Sequence, residues 1–212
     1  MKEQEKMPVE AEMAGTGLRS TQKNDWKTVL KKRFSTRRIA LMAIFVALSF
    51  VVSLLSFPVF PVSPVPFLEL DFGNVFILLI SFLLGPWEGV LVCVLKETFR
   101  ILAGSTGGVG EFANMLMTSS YILLPSIMYQ YRKGIKTVVL TLIGACLIGT
   151  VAALTINRFI TFPLYLGEGA AAAFKEGFWF IVAFNLIKTA AIGFLTLLLY
   201  KRLSNVLKKL KI

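Results

Sequence analysis

Several charged and amide side chains lie inside stretches of the sequence that are otherwise apolar. Lys188 is the most informative, because it lies ten residues into an apolar run that begins at Phe178. At 1.5 Å per helical residue, this places Lys188 about 15 Å from one end of a helix, near the middle of a bilayer. Asn185 lies one turn earlier on the same face. Charges at such depth normally face a cavity or a protein interior. Lys188 therefore either binds a ligand or pairs with an acid such as Glu97.

A second group of polar side chains lies in the middle of the chain. Arg100 lies three residues after Glu97 and four after Lys96, so all three can share one side of a helix. An internal ion-pair cluster is favoured over direct contact with a ligand. Glu111 and Asn114 open the next apolar run after the flexible segment GSTGGVG. The helix dipole alone would favour a carboxylate at that position.

Asn157 ends a further apolar run. Its amide offers both a hydrogen-bond donor and an acceptor, which suits a ligand that carries an amide or imide.

The chain has no histidine, which excludes His-based metal sites and the Ser-His-Asp and Cys-His types of catalysis. It also has no G-x-x-x-x-G-K-[ST] phosphate loop, so we expect no ATP hydrolysis by this chain. Cys93 and Cys146 both lie in apolar runs and are interpreted as small buried residues. The pattern favours a binding protein over an enzyme or a metalloprotein.

The apolar runs that must position these side chains approach or exceed the length needed to cross a bilayer. The chain has 212 residues, of which 56% are hydrophobic. Roughly 20 apolar residues are enough for a transmembrane helix. We predict an all-α integral membrane protein built as a bundle of six transmembrane helices. The predicted spans are Ile39–Phe57, Phe72–Pro86, Trp87–Ala103, Phe112–Tyr131, Thr137–Ile156 and Phe178–Tyr200.

The positive charge indicates how these spans are oriented. The net charge is +11, and the Lys and Arg residues concentrate at the two ends and between the fourth and fifth spans. Such segments stay in the cytoplasm, so both termini are predicted to be cytoplasmic. The charge pattern favours the anionic lipid of a bacterial plasma membrane over nucleic acid. We divide the chain into a disordered acidic start and basic flank (1–38), the membrane domain (39–200) and a basic cytoplasmic tail (201–212).

Two of the predicted outer loops are unusually apolar. The first, FPVFPVSPVPFLELDF, covers residues 57–72 and is predicted to pack over the mouth of the helix bundle. The third covers residues 157–177 and is rich in aromatic residues. The alternative for both loops is anchoring at the membrane interface by their aromatic side chains. Small residues recur four apart on the first and fifth spans, and on their own these stripes indicate close packing between helices.

Taken together, these segments resemble a known family. In chain order they are AIFVA (43–47), the Pro-rich loop ending FLELDF, GPWEGVLVCVLKE, TGGVGEFANML, NRFITFPLY and FNLIK. The ordered set is similar to the substrate-binding S components of energy-coupling-factor (ECF) vitamin transporters, and most similar to the riboflavin-specific type. The resemblance runs from about Ile39 to Tyr200, and its specificity comes from the order of the segments rather than from any single motif.

The resemblance implies a six-helix bundle that binds a vitamin in the outer half of the membrane, under the first loop. It implies a transmembrane coupling subunit and two ATP-binding subunits as partners, with Ala43 and Ala47 as the docking face for the coupling subunit. In riboflavin-specific members, an Asn at the position of Asn157 and a Lys at that of Lys188 contact the flavin. Riboflavin is then the transported ligand rather than a cofactor. The residues expected to bind it are Asn157, Lys188, Asn185, Asn114, Glu111, Phe67, Leu68, Asp71 and Phe162.

The chain departs from the resemblance in the first loop. Riboflavin-type members often read LKIDFSD where this chain reads LELDFGN over 68–74, so that Glu69 replaces a basic residue and Asn74 an acid. These changes leave open whether flavin mononucleotide is accepted. They also leave open an S component for another small vitamin or a nucleobase-like compound. From other classes, the alternatives are a small membrane enzyme acting on lipids, which would need a catalytic cluster of acids or histidines, and a scaffold without a ligand.

Overall fold

The computed structural model describes residues 35–104, 107–132 and 134–209, with the backbone alone from 201 onward. The described chain is mostly helical, as predicted, and each predicted span overlaps a helix. In order, the elements are α1 (Thr36–Ser53), β1 (Phe57–Pro58), β2 (Glu69–Leu70), α2 (Asn74–Leu84), α3 (Pro86–Ala103), α4 (Val109–Tyr131), α5 (Ile135–Ile156), a π-helical turn (Asn157–Thr161), α6 (Phe162–Leu166), a 3-10 turn (Gly167–Gly169) and α7 (Ala170–Lys209).

Among the described residues, two helical stretches are long and apolar enough to cross a membrane. They are α1 and the continuous stretch Ile135–Tyr200. Helix α2 is apolar but has only 11 residues, which is about 16 Å at 1.5 Å per residue. Nearly all of its residues are buried, and a helix that is buried around its circumference is a core helix. Helices α3, α4 and α7 all pack against it.

A sharp reversal at Gly85 joins α2 to α3. Gly85 has φ of +133°, and a Cβ there would lie 2.7 Å from Nε2 of Gln130 and 2.8 Å from Oε2 of Glu88. The position therefore suits glycine. Pro86 then takes the first helical position, where its missing N–H costs no hydrogen bond. Helix α3 consequently packs back along α2 and brings its charged residues beside the start of α2.

The segment between α1 and α2 packs on the helices, as the apolar composition of this first loop predicted. Its ends form a short antiparallel ladder that pairs Phe57 with Leu70 and Pro58 with Glu69. Between them the chain buries apolar side chains against α6 and α7. The cluster comprises Val65, Leu68, Leu70, Phe162, Ala170, Ile181 and Phe184. The first loop is thus attached by a hydrophobic core of its own.

One predicted boundary, between the third outer loop and the sixth span, is wrong. Residues 157–177, expected to form a loop, are helical throughout, and α7 begins at Ala170 rather than Phe178. Four consecutive alanines at 170–173 favour helix, and Phe162, before them, is fully buried. The backbone also stays helical through Lys209, so the end of the membrane domain predicted at Tyr200 is not the end of the helix. Residues 1–34, most of the predicted flank, lie outside the described residues.

Candidate functional site

A pocket lies beneath the first loop, between that loop, α3, α4, the π-helical turn and α7. Its cavity volume is about 60 Å³, below the roughly 300–1,000 Å³ of typical small-molecule sites, so a ligand of that size must displace part of the wall. It is lined by Phe67, Leu68, Glu69, Asp71, Glu97, Arg100, Gly110, Glu111, Ala113, Asn114, Met117, Asn157, Thr161, Phe184 and Lys188. The predicted site residues that line it are Phe67, Leu68, Asp71, Glu111, Asn114, Asn157 and Lys188.

The structure places the other two predicted site residues elsewhere. Phe162 is fully buried and packs behind Phe67, with the ring centroids 5.4 Å apart. It therefore supports the wall of the pocket, and the expectation that it covers a ligand directly does not match its position. Asn185 donates to the carbonyl of Ile181 at 2.8 Å and lines a smaller adjoining cavity. Lys188 lines both cavities.

Asn114 connects Lys188 to the acids of the pocket. Nζ of Lys188 donates to Oδ1 of Asn114 at 2.7 Å. Nδ2 of Asn114 in turn donates to Oε1 of Glu97, which also accepts from Nζ of Lys96 at 2.6 Å. The alternative in which Lys188 pairs directly with Glu97 is therefore wrong in this structure. Among the described residues, this bond to Asn114 is the hydrogen bond that the Lys188 ammonium makes.

Asp71 ties the first loop to the cations of α3. Its buried carboxylate accepts from Nζ of Lys96 and lies 3.4 Å from Nη1 of Arg100. The other arm of Arg100, Nη2, lies 3.2 Å from Oε2 of Glu69, which accepts from Oγ of Ser56 at 2.8 Å. The neighbouring cations, Lys96 foremost, favour the ionised form of this carboxyl group over the neutral form.

This ion-pair cluster was predicted in part. The sequence indicated that the charges of α3 form internal pairs, and they do so. The acids of the first loop, Glu69 and Asp71, were not predicted to complete the cluster, because they are about 30 residues away along the chain. Their approach depends on the reversal at Gly85 and on how the first loop packs.

Three buried oxygen atoms at the pocket lack a hydrogen-bond partner among the described residues. They are Oε2 of Glu97, Oδ1 of Asn157 and Oγ1 of Thr161, and all three residues line the pocket. An unpaired buried polar group costs about 1–3 kcal/mol, so such atoms are nearly always satisfied. They identify positions where a bound molecule or water would supply hydrogen bonds.

Thr161 was missed by the sequence analysis. Both it and Asn157 are almost fully buried, and they lie at the two ends of the π-helical turn. Nδ2 of Asn157 donates to the carbonyl of Ala153 at 2.8 Å, so the amide nitrogen is used within the helix and the amide oxygen remains. If the segment is known to be helical, the spacing of four residues between Asn157 and Thr161 is the signal in the sequence that points to Thr161.

Comparison with known proteins now identifies the family. Residues 37–200 match the family described as "ECF transporter, substrate-specific component". The chain belongs to this family. The fold agrees: a solved structure described as the S component of a bacterial ECF transporter matches with a TM-score of 0.70 and 33% sequence identity. The match covers 81% of this chain and 98% of that chain. The family expected from the ordered sequence segments is confirmed.

Two relatives of this S component carry the name riboflavin transporter. RibU of Staphylococcus aureus (strain TCH60) is 31% identical over 182 residues, which is 82% of this chain and 94% of the relative. FmnP of Bacillus subtilis (strain 168) is 26% identical over 132 residues, 61% of this chain and 68% of the relative. This S component thus spans nearly the whole length of RibU.

Helix α1 of the S component presents small residues outward. Ala43 and Ala47 are exposed, whereas Met42, Phe45 and Val46 face the interior of the protein. On α5 the relation is reversed, because the corresponding small residues, Ala145 and Ala153, are fully buried. The stripe on α5 therefore serves internal packing, as expected by default, and the pair on α1 remains accessible.

Proposed function

We propose that this S component binds riboflavin in the pocket beneath the first loop and serves an ATP-driven ECF importer. The observation that carries the proposal is that a lysine donor and unpaired oxygen acceptors line the same pocket as several apolar side chains. The isoalloxazine ring of riboflavin is flat and mostly apolar, with an imide N–H between two carbonyls along one edge. Acceptors on Asn157 and Thr161 suit the N–H, and Lys188 suits a carbonyl.

The apolar part of the wall suits the faces of such a ring. Phe67 and Leu68 come from the first loop, Met117 from α4 and Phe184 from α7. Aromatic rings favour offset or edge-to-face contacts with other aromatic groups. The name of the relative that this chain matches over most of its length supports the same ligand.

We further propose six transmembrane helices, with both termini cytoplasmic and the pocket in the outer half of a bacterial plasma membrane. The basic ends of the sequence support this orientation. Helix α2, at about 16 Å, covers roughly half of a 30 Å bilayer core. Its start at Asn74 then lies near mid-depth, and the first loop descends from the outer surface to reach it. Lys188 lines the same small cavity as Asn74. This shared cavity supports a position of Lys188 near the middle of the membrane, and it does so better than a residue count from the predicted start of the helix.

The chain then relies on other subunits for energy, since its sequence has no phosphate loop. We propose a transmembrane coupling subunit and two ATP-binding subunits as partners. The exposed Ala43 and Ala47 lie beside Ile44 and Leu48, which are also exposed. Small residues of this kind let another helix approach closely, which supports docking of the coupling subunit on α1. Three acids of the pocket, Glu69, Asp71 and Glu97, form ion pairs with Lys96 or Arg100, so we propose a binding role rather than catalysis.

Riboflavin fluorescence provides the test of the proposed ligand. Binding to the purified chain should quench the fluorescence of added riboflavin, and protein purified from riboflavin-rich cells should be yellow. The Thr161→Val variant should bind more weakly, because a hydrogen bond of this kind contributes about 0.5–1.5 kcal/mol, or roughly two- to tenfold in affinity. Thr155→Val is the matched control, since Thr155 is exposed on α5. A folded chain that neither colours nor quenches would contradict the proposal.

A further inference from the structure

The wall of the pocket carries more acids than bases. Of the described residues, the acidic ones that line it are Glu69, Asp71, Glu97 and Glu111, and the basic ones are Arg100 and Lys188. A third cation, Lys96, lies behind this wall with its ammonium on two of the acids. Even with Lys96 included, the formal balance is four negative charges against three positive charges. A bound molecule therefore meets a surface with no excess of positive charge.

The guanidinium at this wall already has carboxylate partners. Arg100 lies 3.2 Å from Glu69 and 3.4 Å from Asp71. The side chain of Glu69 is 32% exposed, whereas that of Asp71 is only 2% exposed. Of these two carboxylates, Glu69 is therefore the one nearer to the open mouth of the pocket. An anion that entered there would have to displace Glu69 from Arg100 or remain beside a carboxylate whose ion pair already uses that guanidinium.

A connected network of polar side chains runs along the wall of the pocket from its inner end to its mouth. From Lys188 the hydrogen bonds and ion pairs pass through Asn114, Glu97, Lys96, Asp71 and Arg100 and end at Glu69. Lys188 and Glu69 are thus the two ends of one connected wall. The premise of the inference is a flavin whose ring edge binds Lys188 and whose sugar-alcohol side chain, which leaves the central ring, is directed toward Glu69. The terminal hydroxyl of that side chain is where a phosphate ester would be attached.

We infer that the pocket selects flavin without a phosphate group and discriminates against its phosphate ester, and that Glu69 is the residue that sets this selectivity. The inference rests on the proposed function, because it assumes that the ring binds at Lys188. Glu69 acts in two ways: its charge repels a phosphate at the mouth, and its ion pair occupies the guanidinium of Arg100. Like charges placed together across a binding interface are a common means of rejecting a wrong partner.

Fluorescence titrations of riboflavin and riboflavin 5′-phosphate test the inference on the full chain prepared without bound flavin. At low ionic strength, the wild-type protein should bind riboflavin at least about tenfold more tightly than the phosphate ester. Glu69→Gln keeps the size of the side chain and its contact with Ser56. This variant should lower the ratio of the dissociation constant for the phosphate ester to that for riboflavin about tenfold. The change should come mainly from tighter binding of the ester, while the affinity for riboflavin changes less than about threefold.

The matched control is Glu168→Gln, which removes the same charge from an exposed residue of the 3-10 turn that does not line the pocket. It should leave the ratio unchanged. Higher salt should narrow the ratio in the wild-type protein, because charges at an open mouth are screened. If Glu69→Gln disturbs the loop and loses riboflavin binding, this salt series on the wild type decides the question.

Three results would overturn the inference: equal wild-type affinity for the two flavins, a ratio that Glu69→Gln does not change, or an equal effect of Glu168→Gln. A wild-type ratio that does not depend on salt would do so as well. Failure of riboflavin itself to bind the folded wild-type chain is a different outcome. It would contradict the proposed function, on which the inference rests.

Discussion

Replacing Lys188 with methionine removes an ammonium group from the pocket and nearly preserves the length of the side chain. In the folded protein, Nζ of Lys188 donates to Oδ1 of Asn114. The same oxygen accepts from Nδ2 of Asn74 at 3.3 Å and from Oγ1 of Thr118 at 3.4 Å. Because Asn114 keeps these two donors, we expect Lys188→Met to fold.

The expected loss of affinity follows from the hydrogen bond that Lys188 would make to a flavin carbonyl. Nζ lies 5.6 Å from the centroid of the Phe184 ring, and a methionine thioether can keep a favourable contact with that ring. The main loss is then one hydrogen bond from a charged donor, which contributes about 1.5–3 kcal/mol. The dissociation constant for riboflavin should therefore rise about ten- to a hundredfold.

The measurement is a titration of riboflavin fluorescence with purified protein, combined with circular dichroism to follow helix content. Lys175→Met is the matched control, because Lys175 is on the same helix and does not line the pocket. It should bind riboflavin as the wild type does. The control separates the loss of a pocket donor from a general effect of removing one positive charge.

Unchanged affinity in a well-folded Lys188→Met protein would refute the ligand role of this residue. A variant that loses both binding and helix content would instead point to a structural role. In that case the added change Glu97→Gln, which removes one buried negative charge, should restore the fold. Recovery of the fold without recovery of riboflavin affinity would show that Lys188 has both roles.

Three further predictions concern topology, assembly and stability. A cysteine placed at Ser63 should react with an impermeant reagent added outside cells, and one at Gly134 should not; the reverse pattern would contradict the six-helix topology. Ala43→Phe or Ala47→Phe should lower uptake and co-purification with the coupling subunit while riboflavin affinity stays near wild type; a collapse of affinity would assign these residues to internal packing. Lys96→Met should clearly lower the thermal unfolding temperature, because it leaves the buried carboxylates of Asp71 and Glu97 without their lysine. Breaking such a buried ion pair costs about 3–5 kcal/mol. An unchanged unfolding temperature would show that these ion pairs contribute little to stability.

Much of the fold could be predicted because apolar runs of this length are typical of helices that cross a membrane. The runs predicted all the long helices, and the cost of burying a polar or charged group pointed to Lys188 and Asn157 from the sequence alone. The segment 157–177 was mistaken for a loop because its aromatic and glycine content is also typical of membrane interfaces. In the folded protein Phe162 packs beneath Phe67, a contact between distant parts of the chain that the sequence does not show.

The partners of the charged residues could not be predicted for a similar reason. Spacing along α3 shows that Lys96, Glu97 and Arg100 share a side, but it does not show which acids of another segment meet them. Lys188 meets Asn114 rather than Glu97 because of how α4 and α7 pack around α2. Thr161 lay in a segment interpreted as a loop, where four-residue spacing carries no meaning.

The π-helical turn at Asn157–Thr161 has a consequence for how members of this family diverge. A π turn closes its hydrogen bonds over one residue more than an α turn, so it is the form that a single-residue insertion into a helix can take. Deleting Ile160 would let the turn relax to an α-helix, and because four α residues turn about as far as five π residues, the helix after it would keep its direction. Phe162 would then keep its place behind Phe67, while Asn157 and Thr161 would lie three residues apart instead of four. Changes in chain length at this turn are therefore expected to alter the polar atoms that face the pocket while the surrounding packing is preserved.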